Sequence, residues 1–548
     1  MSDDSDDYNT PRELDPWMRF ILICKPEQSG KTFIMIQQII KDLKEPVKGK
    51  TTINIILCDN NLLLCSQTSE RVKLDLKEFE LNGELYLELS SHKRTAYHDA
   101  MQVIGAITTK PIKNILCCTN GIRIEDIYTI IKGLNESPLT KDKFIFKIWL
   151  DEADKHHNYI DNTFRPLVDE YENIYVYLIT ATPTKLFNKY KDINVYKIEN
   201  TTTPEYHGWS DNDIRYVDME GTSVSEFANH VLSHMGSELI QPGKKWIIHA
   251  EYKKISHLKI KDICINKGFA VFIVNGDGLH LYLPDKQLYC YKKDNELNKM
   301  ILNIYREKSL ERYPLAITGN VCIGRGLSIL SKDFMIDCGI FCLCHNKQEA
   351  SQNAGRLKGN IKKWKTYKKP IVFTTIQFDK VVKKEEEKSR KLAELAYSKE
   401  TFGDSAIISN NEFKTLDEKY EYIVHPELFL TFKDAKQFLT TKGRDMAKSG
   451  EPPVKCKETS TSIHRRLLDP LPKGTKIKNG YALSSRMGKS IEEITQNDRI
   501  LQNPYNIPVP SFGISSKTGT RYLILPIYED LDVPYNSEKY QVRYIKFR

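Results

Sequence analysis

One short stretch near the start constrains this chain more than any other. Arg19 to Cys24 is a run of apolar, β-branched and aromatic residues, the composition of a buried strand. It leads directly into Lys25-Pro26-Glu27-Gln28-Ser29-Gly30-Lys31-Thr32, after which the apolar Phe33-Ile34-Met35-Ile36 opens a helix. Strand, Gly-Lys-Thr loop and helix, in that order, make a phosphate-binding loop. The backbone N–H groups of such a loop and of the first helical turn, here around Ser29 and Gly30, hold phosphate oxygens. The ammonium of Lys31 reaches the β and γ phosphates, and the hydroxyl of Thr32 is a magnesium ligand. The first glycine of the full pattern is Lys25 here, so the turn relies on Pro26 and Ser29. A Gly-Lys-Thr triplet alone is common by chance; its flanks give it meaning.

Two further apolar strands carry polar residues at their C-terminal ends. Lys147-Ile148-Trp149-Leu150 runs into Asp151-Glu152-Ala153-Asp154. There Asp151 can hold magnesium and Glu152 can polarise an attacking water. Tyr175 to Thr180 runs into Ala181-Thr182-Pro183, and the hydroxyls of Thr180 and Thr182 are expected to touch the Asp151 and Glu152 carboxylates. By itself an acidic tetrapeptide is a solvated turn and Thr-Ala-Thr-Pro a bend. After a phosphate loop they read as metal site and coupling element.

Residues 200–225 lack periodicity and read as a linker. A second α/β pattern follows, with strands at Lys245–Ala250, Ala270–Val274 and Tyr313–Thr318 separated by helix-length segments, which argues for a parallel sheet. Two more segments complete the set, Gly319 to Leu327 with Gly324-Arg325-Gly326, and Ser351-Gln352-Asn353-Ala354-Gly355-Arg356-Leu357-Lys358-Gly359.

Together these segments resemble, in order, motifs I, II, III, V and VI of the superfamily 2 helicases, over residues 19–380. The resemblance implies an α/β fold of two tandem RecA-like parallel-sheet lobes, with ATP and Mg2+ between them and a nucleic-acid strand as partner, RNA or DNA, single-stranded or forked. By that likeness Arg356 is an arginine finger facing the γ-phosphate, Gln352 and Arg325 belong to the nucleotide site, and Ile53–Asp59 and Cys118–Gly121 touch the nucleic-acid backbone. The last arginine of motif VI is Gly359 here, so Lys358 or Arg325 would supply a second charge if one is used. The residues ahead of Lys25 lack the adenine-reading glutamine element of the DEAD-box proteins proper. Trp17 and Phe20 read as packing residues. The form of motif VI is most similar to helicases of large DNA viruses and phages.

The implied organisation is an acidic disordered tail (1–16), a first lobe (17–205), a second lobe (206–380), a charged, solvated helical connector (381–412) and a small α+β accessory module (413–548). In that module, 12 Lys and Arg stand against 4 Asp and Glu between Lys442 and Lys489, a composition that suits either a phosphate-tracking segment or a basic linker. Arg521–Tyr528 and Tyr540–Phe547 read as strands, and a protein partner through this module is the alternative to a nucleic-acid one.

Composition narrows the rest. A net charge of +9 from 81 basic and 72 acidic residues suits a nucleic-acid partner without requiring one. No run approaches the roughly 20 apolar residues needed to span a bilayer. The 12 cysteines include apolar-run members such as Cys58, Cys117, Cys118 and Cys322, the usage of a reducing intracellular compartment, or of a host cytoplasm or replication site if the chain is viral. Cys338, Cys342, Cys344 and His345 lie on a strand-like run, whose alternating faces disfavour a shared zinc. Two rivals to a motor remain: a nucleotide-gated clamp or recruiting ATPase, and a packaging-type ATPase. The second should carry a carboxylate-rich nuclease domain, which the C-terminal half does not show. The sequence carries no signal for an oligomer.

Overall fold

The computed structural model describes residues 18–441, apart from 60, 61, 79–85, 91–96, 111, 276, 277, 292–296, 321–329, 343–346, 400–402, 417–419, 432, 436, 439 and 440, and then 522–528 and 538–547. The acidic tail with Trp17, Arg325 with its neighbouring glycines, Cys344 and His345, and the basic segment from Lys442 to Lys489 lie outside the described residues.

The first lobe is built on β1 (Phe20–Cys24), β2 (Thr51–Cys58), β3 (Tyr86–Glu88), β4 (Asn114–Cys118), β5 (Phe144–Asp151), β6 (Ile174–Thr180) and β7 (Asp192–Tyr196). These pair in the order β7-β1-β6-β5-β2-β4-β3, every pair parallel. Their near-continuous apolar sequences follow from burial on both faces. On one face the helix Lys31–Lys44 lays Met35, Ile36, Ile39 and Ile40, a helical-period stripe, against Ile23, Ile56 and Trp149. On the other, Ile127, Ile130 and Ile131 of the helix Gly121–Glu136 pack on Ile55, Ile115 and Ile148.

Parallel pairing brings the C-terminal ends of neighbouring strands to one edge of the sheet, where ligands of open α/β sheets bind. The strands β1, β6 and β5 are adjacent, so the phosphate loop, Thr180–Thr182 and Asp151–Glu152 share that edge although they are far apart in sequence.

The second lobe comprises β8 (Tyr206–His207), β9 (Asp213–Tyr216), β10 (Lys245–His249), β11 (Ala270–Asn275), β12 (Gly278–Tyr282), β13 (Leu288–Tyr291), β14 (Leu315–Gly319), β15 (Cys338–Phe341), β16 (Gly359–Asn360) and β17 (Ile371–Thr374). Its sheet runs β13-β12-β11-β14-β10-β15-β17-β9. The part from β11 to β9 is parallel. Strands β12 and β13 are antiparallel, which the expectation of a purely parallel sheet did not include. The physical reason is chain length: β11 ends at Asn275 and β12 begins at Gly278, too close for a crossover helix. Both lobes are α/β layers built on a mainly parallel sheet.

A larger difference concerns 381–412, expected as a solvated connector. The helix Ile376–Ser398 starts at Thr375, whose side chain accepts from the Phe378 N–H at 3.2 Å. Its first half places Phe378 and Val382 in the second-lobe core, and its second half places Leu392 and Ala396 in the first-lobe core. The chain then adds β18 (Ser405–Ser409) antiparallel to the outer edge of β7. Phe413 stacks on Phe187 with centroids 4.0 Å apart. The first lobe is therefore completed by residues beyond the second. The charged members of the helix masked its buried stripe in the sequence. Lys388, for example, is buried with its ammonium 4.2 Å from the Phe413 ring centroid.

The chain divides into two compact units, ending and starting at Leu416 and Asp417. Within the second, β19 (Tyr420–Phe429), β20 (Tyr522–Tyr528) and β21 (Glu538–Phe547) form an antiparallel sheet in the order β19-β21-β20. A register shift between Val424 and Leu428 brackets Pro426, a residue that cannot donate to a ladder.

Candidate active site

The loop after β1 is turned by residues other than the missing glycine. Ser29 donates from both its N–H and its Oγ to the Pro26 carbonyl, the latter at 2.7 Å. Ser29 thus closes the turn rather than facing the cavity. Gln28 and Gly30 take positive φ of 56° and 98°. That conformation costs a glycine nothing and a glutamine about 1 kcal/mol or more. Gly30 then caps the helix Lys31–Lys44, whose N-terminal end opens onto a cavity of about 280 Å³. Lys25 is buried, with Nζ 3.4 Å from the Asn200 carbonyl, so it anchors the loop instead of relaxing it.

Lys31, Thr32, Asp151 and Glu152 all line this cavity, together with Glu27, Gly30 and Phe33. From the helix Leu62–Glu78 come Gln67, Arg71 and Asp75, and from the second lobe Asn360. None of these last four carried a recognisable sequence signal. Phe33 is 59% exposed beside the loop, an open aromatic face in a mostly polar wall.

The charges are closely coupled. Burial alone would drive the Lys31 ammonium toward neutrality; Glu27, Glu152 and Asp151 outweigh it and hold its pKa above the ordinary value. For Asp151, burial and then the Glu152 charge push the carboxyl up to about 7, with Lys31 opposing. Glu152 sits at φ 52°, a left-handed backbone that turns its side chain back into the site.

Thr180 and Thr182 reach a carboxylate, but not the expected ones. The Thr180 hydroxyl donates to Asp154 Oδ1 at 2.6 Å and that of Thr182 to Asp154 Oδ2 at 3.2 Å. Asp154 has no exposed surface; burial, then the Glu152 charge, raise its pKa to about 6. The two threonines therefore bond Asp154, three residues past Asp151, because Thr180 lies one residue beyond the Asp151–Ile179 pair and so stands level with the turn that follows β5.

The second lobe enters through the helix Lys347–Ala354 and the turn after it. Gln352 donates from Nε2 to Glu152 Oε2 at 3.0 Å, both side chains buried. Arg356 is buried as well. Burial lowers its pKa to about 10, and Glu27 and Glu152 partly offset that loss. Lys358 pairs with Glu386 of the long helix at 2.6 Å and does not line the cavity, though its charge also acts on Glu27. Gly359 adopts φ 143°, a backbone conformation that an arginine rarely takes, and lies at ordinary contact distance from Gln28. On the first lobe, the Thr119 hydroxyl donates to the Cys58 carbonyl at 2.7 Å, and Asn120 caps the helix Gly121–Glu136. These segments end on the same edge as the phosphate loop.

The donor set fits a polyphosphate with a divalent cation. It offers an ammonium, a helix N-terminus, a hydroxyl and a carboxylate around one cavity, the chemistry that oxygen-seeking magnesium and anionic phosphate require.

No protein-family model and no curated protein matches the sequence. Among solved structures the chain is similar to S. cerevisiae Dbp5 bound to RNA and ADP BeF3, at 15% identity and a TM-score of 0.40 over 69% of this chain and 84% of that one. It is also similar to the DEAD-box helicase Mss116 bound to ssRNA and UDP-BeF, at 14% identity and a TM-score of 0.38 over 67% of each chain.

Proposed function

We propose that this chain is an ATP-driven nucleic-acid motor, a helicase or translocase that hydrolyses ATP between two RecA-like lobes. The observation that carries the reading is a buried bond between the lobes at the carboxylate: Gln352 of the second donates to Glu152 of the first at 3.0 Å, and the buried Arg356, four residues on, carries its charge toward Glu27 and then Glu152.

Lys31 and the N–H groups at the start of its helix bind the phosphate chain. Thr32 and Asp151 would hold magnesium, which when bound would neutralise phosphate charge. Glu152, oriented by Gln352, takes a proton from water at its free oxygen face. Arg356 stabilises charge developing on the terminal phosphate, a contribution of about a thousandfold or more in related chemistry. Asp154 with Thr180 and Thr182 ties the carboxylate turn to the end of β6, so a change at the site is passed into the lobe. The basic balance of the chain supports a nucleic-acid track.

Steady-state ATP hydrolysis, measured with the Lys31→Ala protein as blank and with single-stranded RNA, single-stranded DNA or duplex DNA added, tests the reading. Lys31-dependent turnover stimulated by one nucleic acid is expected. Turnover that Lys31→Ala leaves intact would sink it.

A second reading has its own observation. The helix Ile376–Ser398, about 35 Å long at 1.5 Å per residue, is embedded in both lobe cores and restrains their separation. A nucleotide-gated clamp needs less lobe movement than a processive unwinder. Strand displacement on a forked duplex distinguishes the two.

A further inference from the structure

Glu27 places a carboxylate in a loop whose backbone N–H groups and Lys31 ammonium are suited to an anion. Its side chain is buried, and Oε2 lies 3.4 Å from the Lys31 ammonium. Oε1 is buried too and has no hydrogen-bond partner among the described residues. The other cations that act on it are Lys358 and Arg356 from the second lobe, then Lys155 from the first. Burial alone would favour the neutral acid; these four cations bring its pKa below the usual carboxylate value, so it is ionised. The residue also lies at the seam between the lobes. Tyr206 donates its hydroxyl to the Glu27 carbonyl at 2.8 Å, and a Cβ on Gly355 would sit 3.2 Å from that of Glu27.

A carboxylate and a phosphate oxygen are interchangeable ligands to an ammonium or guanidinium, and two such anions repel each other at close range. Of the cations that act on Glu27, Lys31, in contact with it, and Arg356 are the two assigned above to the phosphate chain. We infer that Glu27 is an internal rival of the phosphate chain: its carboxylate competes with the nucleotide for Lys31 and Arg356 and must yield that place when phosphate binds. The inference rests on the nucleotide reading. It adds that the affinity of the site is set below what its cations alone would give. It also makes Gly355 and Tyr206, which hold Glu27, the first second-lobe contacts to feel phosphate arrive.

An ordinary structural ion pair makes the opposite forecast, which makes the inference testable on the full-length chain. Calorimetric titration with inorganic tripolyphosphate, and separately with MgATP, compares the wild type with Glu27→Gln, which keeps shape and removes charge. Tripolyphosphate is expected to bind Glu27→Gln about tenfold more tightly, the equivalent of ~1.4 kcal/mol. The unliganded variant should melt at a lower temperature, because the cations lose their counter-anion. Glu27→Thr, smaller and neutral, repeats the comparison should the glutamine protein fail to fold. Affinity unchanged or weakened in the neutral variants would overturn the inference and leave Glu27 as a support for Lys31. Wild-type turnover that depends on Lys31, with no tightening in either variant, refutes this inference alone. Tripolyphosphate binding without any ATP hydrolysis refutes the nucleotide reading, and the rivalry is then decided by the neutral variants.

Discussion

Gln352 of the second lobe donates to Glu152 of the first at 3.0 Å, and both side chains are buried. A buried bond between a neutral amide and a carboxylate is worth about 1.5–3 kcal/mol, and losing it leaves the carboxylate undersatisfied. Gln352→Ala is accordingly expected to lower kcat for ATP by about 10- to 100-fold, because Glu152 loses the partner that aims it. The KM for ATP should change far less, since Gln352 does not line the cavity. A KM effect larger than the kcat effect, measured by steady-state kinetics, would show that Gln352 acts on the nucleotide directly.

Removing the base itself separates binding from chemistry. Glu152→Gln keeps the side-chain volume and loses the proton acceptor, and turnover should fall by about 10²–10⁴. Affinity for MgATP, read by calorimetry, is expected to hold or rise as one negative charge leaves the cavity. Strong residual turnover would move the catalytic role elsewhere.

Arg356→Lys tests the finger. A lysine retains charge but not the planar fork, so a rate loss of about a thousandfold with little change in ATP affinity is expected. An equal loss in binding would make Arg356 a ground-state contact only.

Asp154 gives the stability a pH signature. Its folded pKa is raised, to about 6, by burial and then by Glu152. The folded state therefore prefers the protonated acid. The wild type should gain stability over Asp154→Asn as pH falls through about 6 towards 4, and lose that advantage as pH rises through 6. The shift corresponds to up to about 3 kcal/mol. Parallel melting curves for the two proteins across that window would show that the buried carboxyl does not titrate there.

The long helix predicts where the chain can be cut. A protein ending at residue 416 keeps β18, Leu392 and Phe413, and should melt cooperatively. One ending at 380 exposes the β7 edge and strips Leu392, Ala396 and Phe413 from the first-lobe core. It should aggregate or lose its thermal transition. In the intact chain, Leu392→Ala should cost about 2–5 kcal/mol, measured by denaturant unfolding. A cooperative melt of the 380 truncation would show that the helix only borders the lobe.

Local order decided what the sequence could determine by itself. Gly30-Lys31-Thr32 after an apolar strand, and Asp151-Glu152 at the end of another, are contiguous patterns, and a parallel α/β sheet is what delivers both to one edge. Contacts made across the chain belonged to tertiary structure alone. Thr180 and Thr182 were legible as hydroxyls that meet a carboxylate, yet which carboxylate they bond depended on how the turn after β5 folds beside the end of β6. Gln352 was visible in its motif, but its partner Glu152 lies 200 positions away. The helix Ile376–Ser398 read as solvated because charge dominates its composition. Only packing against two cores showed that Leu392 and Ala396 are interior and that the first lobe closes with β18. Glu27 carried no signal at all, since a glutamate in a loop is ordinary until four cations, two of them from another lobe, surround it. Sequence records what is next along the chain. Burial and charge depend on what is next in space, and those distances exist only after folding.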